Sequence, residues 1–281
     1  MSPKIFYIFL LVAVLFIFDQ PAAAQDSALN AEPVGGTFSG ASSLSITPSG
    51  TVYITEQRRN RFLVLSQTGQ RIDSLGASGS GDYRFDHPLS IDATNGLRIY
   101  VADRNNGRVQ LFDRRLQYLS SISASKIPQI SQFRPERIAT GSGNELLVYD
   151  SDHHIIFTFD HNGNYDGEID LRKNQVGEVS QMKANGSELL LLDSVPGVVH
   201  RFEAIGAYKN FIGGFRQARA IYPSEDRIWA AYPGRIVEHG QTGNRINEYT
   251  LQQEIDVVDM AVYRNNLYLL TQTQLFTARI P

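Results

Sequence analysis

The chain has 281 residues, with 26 Lys and Arg against 29 Asp and Glu, a formal net charge of −3, and no cysteine. The absence of cysteine excludes disulfides, a thiol nucleophile and a cysteine-ligated zinc site. The nearly balanced charge argues against nucleic-acid binding, which usually requires a basic excess, and a chain of this length can build a large core without disulfides.

The N-terminal segment has the pattern of an export signal. Lys4 precedes an apolar run of 14 residues, Ile5–Phe18, and small residues follow at Ala22–Ala24. The run is shorter than a membrane span, which needs roughly 18 or more apolar residues, and it fits a cleaved signal peptide. We therefore expect residues 1–24 to be removed, with no stable membrane insertion afterwards. Export without disulfides favours a bacterial periplasmic or secreted protein. An uncleaved signal anchor is the alternative.

Short apolar strands then recur along residues 25–281 at intervals of 39 to 47 residues. Each has one apolar segment before it and one or two after it, separated by Gly- and Asn-rich turns. Four strands in about 40–45 residues are typical of one blade of a β-propeller. The recurring second strands are Thr51–Glu56, Arg98–Asp103, Glu145–Asp150, Glu188–Asp193, Arg227–Tyr232 and Asn266–Thr271.

The last unit has only three strands before Pro281, and the segment Glu32–Phe38 offers the missing one. An N-terminal strand in that place would remove an unpaired sheet edge. The sequence therefore predicts an all-β fold: one six-bladed β-propeller of four-stranded blades over residues 25–281, with the last blade closed by the N-terminal strand.

One of these units resembles a known repeat. The segment HPLSIDATNGLRIYVADRNNGRVQLFD, His87–Asp113, is similar to an NHL repeat, in which a Pro-led first strand is followed by an acid that ends the second strand and an arginine that begins the third. The first unit shares the pattern, which fades after the third. The resemblance implies a six-bladed NHL-repeat propeller and no particular ligand.

The acid and the base of this pattern recur five residues apart, as Asp103 with Arg108 and as Glu56 with Arg61. Catalytic pairs rarely repeat at equivalent places on different blades. We expect these pairs to be exposed ion pairs that close turns, each worth about 0–1 kcal/mol.

Binding residues are expected at one end of the propeller. The turns between second and third strands and the linkers between blades share that end, here called the linker face; it includes the long linkers Gly76–His87 and Ser123–Pro135. Irregular loops held by a rigid scaffold commonly form binding sites. The candidates on this face are Arg58, His87, Arg104, Asp152, His153 and His154.

A second candidate site is a ring of first-strand residues around the central channel. Two arginines in this ring could bind a carboxylate or phosphate, and the alternative is a salt bridge between Asp259 and one of them. The ring residues are Ser45, Ser90, Arg137, Gln181, Arg219 and Asp259.

The sequence contains no short catalytic motif, and its histidines are scattered over several blades. We expect no cofactor and an exported, non-enzymatic binding module whose loop-rich face contacts a protein, peptide or glycan. The alternative is a metal-dependent hydrolase or lyase, lactonase-like or amidating-lyase-like, with calcium or zinc in the channel. The pattern makes no prediction of oligomeric state.

Overall fold

The computed structural model describes residues 25–186, 188–203, 206–224 and 226–281; the predicted signal segment lies outside them. Strands dominate this part of the chain, and its helices are the short 3-10 turns Gln57–Arg59, Ala124–Lys126 and Leu171–Asn174. No helix among the described residues is long and apolar enough to cross a membrane.

The strands form six sheets, which are the six blades. β1 (Gln25–Leu29) and β2 (Glu32–Gly35) precede blade 1, which holds β3 (Ala41–Ile46), β4 (Val52–Glu56), β5 (Arg61–Leu65) and β6 (Arg71–Leu75). Blade 2 holds β7 (Pro88–Asp92), β8 (Arg98–Asp103), β9 (Arg108–Asp113) and β10 (Tyr118–Ser123), and blade 3 holds β11 (Pro135–Thr140), β12 (Leu146–Asp150), β13 (Ile155–Phe159) and β14 (Tyr165–Asp170).

Blade 4 holds β15 (Val179–Asn185), β16 (Glu188–Asp193), β17 (Val198–Glu203) and β18 (Tyr208–Ile212). Blade 5 holds β19 (Ala220–Ser224), β20 (Arg227–Tyr232), β21 (Arg235–Gly240) and β22 (Arg245–Leu251), and blade 6 holds β23 (Asp259–Tyr263), β24 (Asn266–Leu270) and β25 (Leu275–Arg279). These bounds lie within about one residue of the second strands predicted from the sequence.

The ring closes as the sequence predicts. The first strand of each blade contacts the first strand of the next, and β23 of blade 6 contacts β3 of blade 1. The strand β2 pairs antiparallel with β25, placing Glu32 opposite Thr277, so blade 6 gains its fourth strand from the N-terminal segment. The prediction of a six-bladed propeller closed in this way is confirmed.

One strand was not predicted. β1 pairs in parallel with β22, from Gln25 opposite Asn247 to Leu29 opposite Leu251, and makes blade 5 a five-stranded sheet. Leu29 is buried in the apolar cluster between blades 5 and 6, which includes Trp229 and Tyr249. The strand therefore covers the outer edge of blade 5, which would otherwise expose unpaired backbone groups.

A buried polar group at the end of the second strand ties each of blades 1 to 5 to the linker that enters it. In blades 1 to 4 a carboxylate accepts a backbone N–H from that linker at 2.6–2.9 Å: Glu56 from Ser39, Asp103 from Asp86, Asp150 from Arg134, and Asp193 from Gly177. In blade 5 the Tyr232 hydroxyl replaces the acid and donates to the Gly214 carbonyl at 2.9 Å. We call this contact the linker clamp.

The two predicted acid–base pairs are ion pairs within these clamps. Arg61 Nε lies 2.5 Å from Glu56 Oε2, and Arg108 Nε lies 2.9 Å from Asp103 Oδ2. Both carboxylates are fully buried, so the expectation of exposed pairs was wrong. Burial raises the pKa of Asp103, against the lowering effect of its hydrogen bonds. Arg108 stabilises the ionised carboxylate and also donates to two linker carbonyls, those of Gly81 and Arg84.

The substitution Asp103→Ala is expected to destabilise the fold by about 3–5 kcal/mol, because it removes one partner of a buried ion pair and frees the linker N–H. Urea denaturation followed by circular dichroism measures this loss. The control is Asp82→Ala, an exposed acid in the same linker, which should stay within about 0.5 kcal/mol of the wild type. Equal effects of the two substitutions would contradict the clamp.

Candidate functional site

The central channel is narrow, with a cavity of about 40 Å³. Five of the six residues predicted to ring it line this cavity: Ser45, Ser90, Arg137, Gln181 and Asp259. Arg219 does not; it is exposed, and its backbone N–H donates to the Ala231 carbonyl at 2.7 Å.

Small polar side chains in the channel wall connect blade 1 with blade 2 and blade 2 with blade 3. Ser45 Oγ accepts the N–H of Ala93 at 2.9 Å, and Ser90 Oγ accepts the N–H of Ile138 at 3.2 Å. Asp92 accepts both the N–H and the hydroxyl of Thr140, at 3.2 and 3.1 Å. In all three cases the partners are 48 residues apart, one blade further along the chain. These side chains therefore hold neighbouring blades together, and their hydrogen-bonding capacity is used within the ring.

Asp259 joins three blades through polar contacts in the channel. Lys183 of blade 4 reaches across to it, with Nζ 2.8 Å from Oδ1, and the backbone N–H of Leu44 in blade 1 donates to Oδ2 at 2.8 Å. Asp259 therefore pairs with Lys183 and not with either arginine. Sequence reasoning missed Lys183, although it lies two residues after Gln181 and hence on the same side of β15.

Two further channel donors, Arg137 and Gln181, are also engaged. Arg137 donates from Nε to the Ser180 carbonyl at 3.1 Å, and its guanidinium lies 3.7 Å from the carboxylate of Glu136. Gln181 donates to the Val258 carbonyl at 2.9 Å. The predicted anion-binding arginine thus already has a carbonyl and a carboxylate beside it.

On the linker face, the predicted residues are spread over three blades. Arg58 and Asp152 are exposed, and Asp152 lies 3.5 Å from Arg134. Arg104 borders a groove of about 300 Å³ between the blade 2 turn and the linker to blade 3. His87 is half-buried in a left-handed conformation, with φ of 60°, and its N–H donates to Asn60 Oδ1.

His153 and His154 turn to different partners. His153 Nδ1 lies 3.1 Å from Asp150 Oδ1, within the blade 3 clamp. His154 contacts the Tyr149 hydroxyl through Nδ1 at 3.1 Å and the Val176 carbonyl through Nε2 at 2.8 Å, which joins the turn to the next linker. Within residues 25–281, apart from 187, 204, 205 and 225, no group of three or more His, Asp or Glu side chains is arranged to hold a metal.

A further groove on the linker face was not predicted. It lies at the blade 4 turn and has a volume of about 470 Å³, and we call it the blade 4 groove; its lining includes Lys173, Asp193, Pro196, Val198, His200, Tyr208 and Phe211. Two of its polar side chains, Asp193 and His200, are buried, and Phe211 is 61% exposed. In the sequence, this groove is marked only by Val198 in the arginine place of the repeat, which fading of the repeat also accounts for.

Comparison with known proteins supports the repeat. The NHL repeat model matches residues 85–112. The human NHL repeat-containing protein 3 is 32% identical over 80 residues, which cover 27% of this chain and 23% of that protein. The chain is a six-bladed β-propeller that carries an NHL repeat, and the resemblance found in the sequence is confirmed.

Solved structures share the fold at low sequence identity. A putative gluconolactonase has a TM-score of 0.67 at 13% identity, covering 89% of this chain and 92% of its own. A catalytically inactive virginiamycin B lyase from Staphylococcus aureus, solved with quinupristin, has 0.63 at 14%, covering 86% and 80%. A chain of a mitotic checkpoint complex has 0.62 at 12%, covering 100% and 99%. At these identities the likeness is one of fold.

We expect Lys183 and Asp259 to be strongly coupled, because the buried carboxylate and the partly buried ammonium group each lack their main counter-charge once the other is removed. In a double-mutant cycle of Lys183→Met and Asp259→Asn, the coupling in the free energy of unfolding should reach about 1–3 kcal/mol. Arg219→Met, which removes an exposed cation outside the channel, should change stability by less than about 0.5 kcal/mol. A coupling near zero would contradict the channel network.

Buried histidine should make the fold sensitive to mild acid. Burial lowers the pKa of His239 below its ordinary value of 6.5; its ring packs 4.5 Å from that of Phe215. The unfolded chain therefore takes up this proton first as the pH falls through 6.5, and stability present above 6.5 is lost below it. The substitution His239→Gln should reduce the fall in unfolding free energy between pH 7.5 and 5.5.

The matched control is His161→Gln, since His161 is exposed. It should leave the pH dependence of unfolding as in the wild type, whereas an equal change in both variants would argue against burial of His239 as the cause.

Proposed function

We propose that this chain is an exported binding module that presents its linker face to a protein, a peptide or a glycan. The linker face gathers the turns and linkers of all six blades at one end of a rigid ring. Loops that differ from blade to blade on such a scaffold suit recognition. The propeller with its NHL repeat fits a binding or scaffold role.

The observation that carries this proposal is the contrast between channel and face. The channel encloses about 40 Å³, enough for a few water molecules, and its polar groups hold the blades together. The linker face has open grooves of about 300 and 470 Å³ at the turns of blades 2 and 4. Space for a ligand therefore lies outside the channel. The opposite end has grooves of about 490 and 300 Å³ as well, so the blade-specific loops of the linker face, rather than its volume, favour it as the binding surface. The likeness to a chain of the mitotic checkpoint complex, a protein assembly, supports a protein ligand.

The fold likeness to a lyase and a putative gluconolactonase favours an enzyme as the second candidate. A cation in the channel would have Asp259 and Asp92 as carboxylate ligands. Asp259 is paired with Lys183, so an ion there would have to displace the ammonium group. The present side chains fit a lysine–carboxylate bridge better than a metal centre.

The linker face is tested by reversing charge on one end at a time. The variant Arg58→Glu/Arg104→Glu should reduce the amount of partner that co-purifies with the exported protein from its native host by about tenfold or more, because like charges oppose docking. The control Arg71→Glu/Arg114→Glu changes the net charge equally, at exposed positions on the opposite end. It should retain the partner.

Loss of the partner only in the control variant, or in neither, would contradict the proposal. For the enzyme, the deciding measurement is the metal content of the natively purified protein. Stoichiometric calcium or zinc, with a hydrolytic activity that chelation abolishes and Asp259→Asn prevents, would replace binding by catalysis.

A further inference from the structure

The blade 4 groove lies where the repeat has lost the side chains that normally complete the linker clamp. In blade 1, Arg59 and Arg61, three and five residues after the acid, both contact Glu56. In blade 2, Asn106 and Arg108 occupy the same places and donate to Asp103, each at 2.9 Å. Two side-chain donors thus accompany the buried acid.

Blade 3 has neither side-chain hydrogen bond, since His153 Nδ1 has no hydrogen-bond partner among the described residues, and backbone groups replace both. His153 is the third residue after Asp150, with Nδ1 3.1 Å from Oδ1, and the backbone N–H groups of Asp152 and His153 donate to the same oxygen at 3.0 Å. Ile155 takes the arginine place. Both carboxylate oxygens of Asp150 therefore accept hydrogen bonds, since Oδ2 accepts the N–H of Arg134.

Blade 4 has neither donor. Pro196 stands at the third position, where it offers no side-chain donor and no N–H, and Val198 stands at the fifth. Asp193 Oδ2 accepts the Gly177 N–H at 2.6 Å, whereas Oδ1 has no hydrogen-bond partner among the described residues. Since Asp193 is only 2% exposed, this oxygen is a buried acceptor without a donor, which is costly in a folded protein.

His200 does not make up the loss. Its Nε2 lies 3.6 Å from Asp193 Oδ2 and has no hydrogen bond within the described part of the chain, while Nδ1 contacts the Tyr208 hydroxyl at 3.2 Å. Burial lowers the pKa of His200, despite the opposite effect of Asp193. The His200 imidazole therefore does not supply the donor that Asp193 Oδ1 lacks.

The walls of the groove suit a flat cation. Tyr208 and the exposed ring of Phe211 stand beside Val198 and Pro196, and the mouth is open to solvent. A guanidinium group combines several N–H donors with a planar surface that stacks on aromatic rings. Lys173 at the rim carries the opposing charge, but its side chain is exposed and solvated.

We propose that the blade 4 groove binds the guanidinium group of an arginine side chain presented by a partner protein or peptide. The chain holds its own template: in blade 2 the Arg108 guanidinium bonds both to the buried acid and to linker carbonyls. In blade 4 the partner's arginine takes that place, with Asp193 as its acceptor. This inference rests on the proposed function, because it names the ligand chemistry of the linker face.

The first test needs no variant. Nα-acetyl-arginine amide is titrated into the full chain by NMR or calorimetry, alongside the citrulline analogue, which has the same shape without the charge. The arginine probe should bind at least about tenfold more tightly, the difference expected for a hydrogen bond to a buried charge. Equal affinity for the two probes, or no saturable binding up to about 10 mM arginine probe, would overturn the inference.

The second test refills the groove from within. The substitution Val198→Arg restores the repeat pair, so it should raise the melting temperature and weaken binding of the arginine probe at least about tenfold. The control Val195→Arg adds the same charge in the same turn, at a position 72% exposed, and should leave both unchanged. A folded Val198→Arg protein that binds the probe like the wild type would also overturn the inference.

Failure here is distinguishable from failure of the proposed function. If Arg58→Glu/Arg104→Glu abolishes partner capture while the arginine and citrulline probes bind alike, the linker face is the binding surface and the groove is not its arginine site. If the arginine probe binds selectively while neither charge-reversal variant affects capture, the groove inference stands and the broader role of the face fails.

Discussion

The ring depends on the pairing of polar groups that its closure removes from water. The first strands meet around a narrow channel, where Ser45, Ser90 and Asp92 bond to the backbone of the next blade. Asp259 connects blades 6, 4 and 1 through Lys183 and Leu44. A buried polar group without a partner costs about 1–3 kcal/mol, so each of these bonds restricts how neighbouring blades can sit. Packing between blades supplies most of the stabilisation, and the polar contacts select the arrangement.

The same requirement recurs at the end of the second strand in blades 1 to 5, and the blades satisfy it differently. Blades 1 and 2 add an arginine to the buried acid, and in blade 3 the backbone N–H groups of Asp152 and His153 donate to it. Blade 5 dispenses with the charge, because the Tyr232 hydroxyl reaches the Gly214 carbonyl directly. The repeat pattern fades along the chain, yet the contact with the linker persists through blade 5. What is retained is the bond to the linker, rather than the residue that makes it.

The architecture could be predicted from the sequence because each blade repeats the same series of short apolar strands separated by turns. The closing strand Glu32–Gly35 was predictable because blade 6 visibly lacked one. The parallel strand β1 was not, since no repeat unit required a fifth strand in blade 5. The alternation of the first strands predicts which residues face the channel, and five of the six predicted residues line it. It does not predict which side chains bond to one another. Lys183 reaches Asp259 across 76 residues of sequence, a pairing that depends on ring geometry and that no spacing reveals.

In blade 4, the fold explains the buried acid Asp193 but not the residues around it. Asp193 is required for the linker clamp, because no apolar residue could accept the Gly177 N–H. That requirement accounts for the acid but not for Pro196 and Val198, which remove both donors from it. An arginine at either place would satisfy the carboxylate, as it does in blade 1. Sites that break a local rule without compensation are where function is expected, and a donor supplied by a partner would complete this clamp as Arg108 completes that of blade 2.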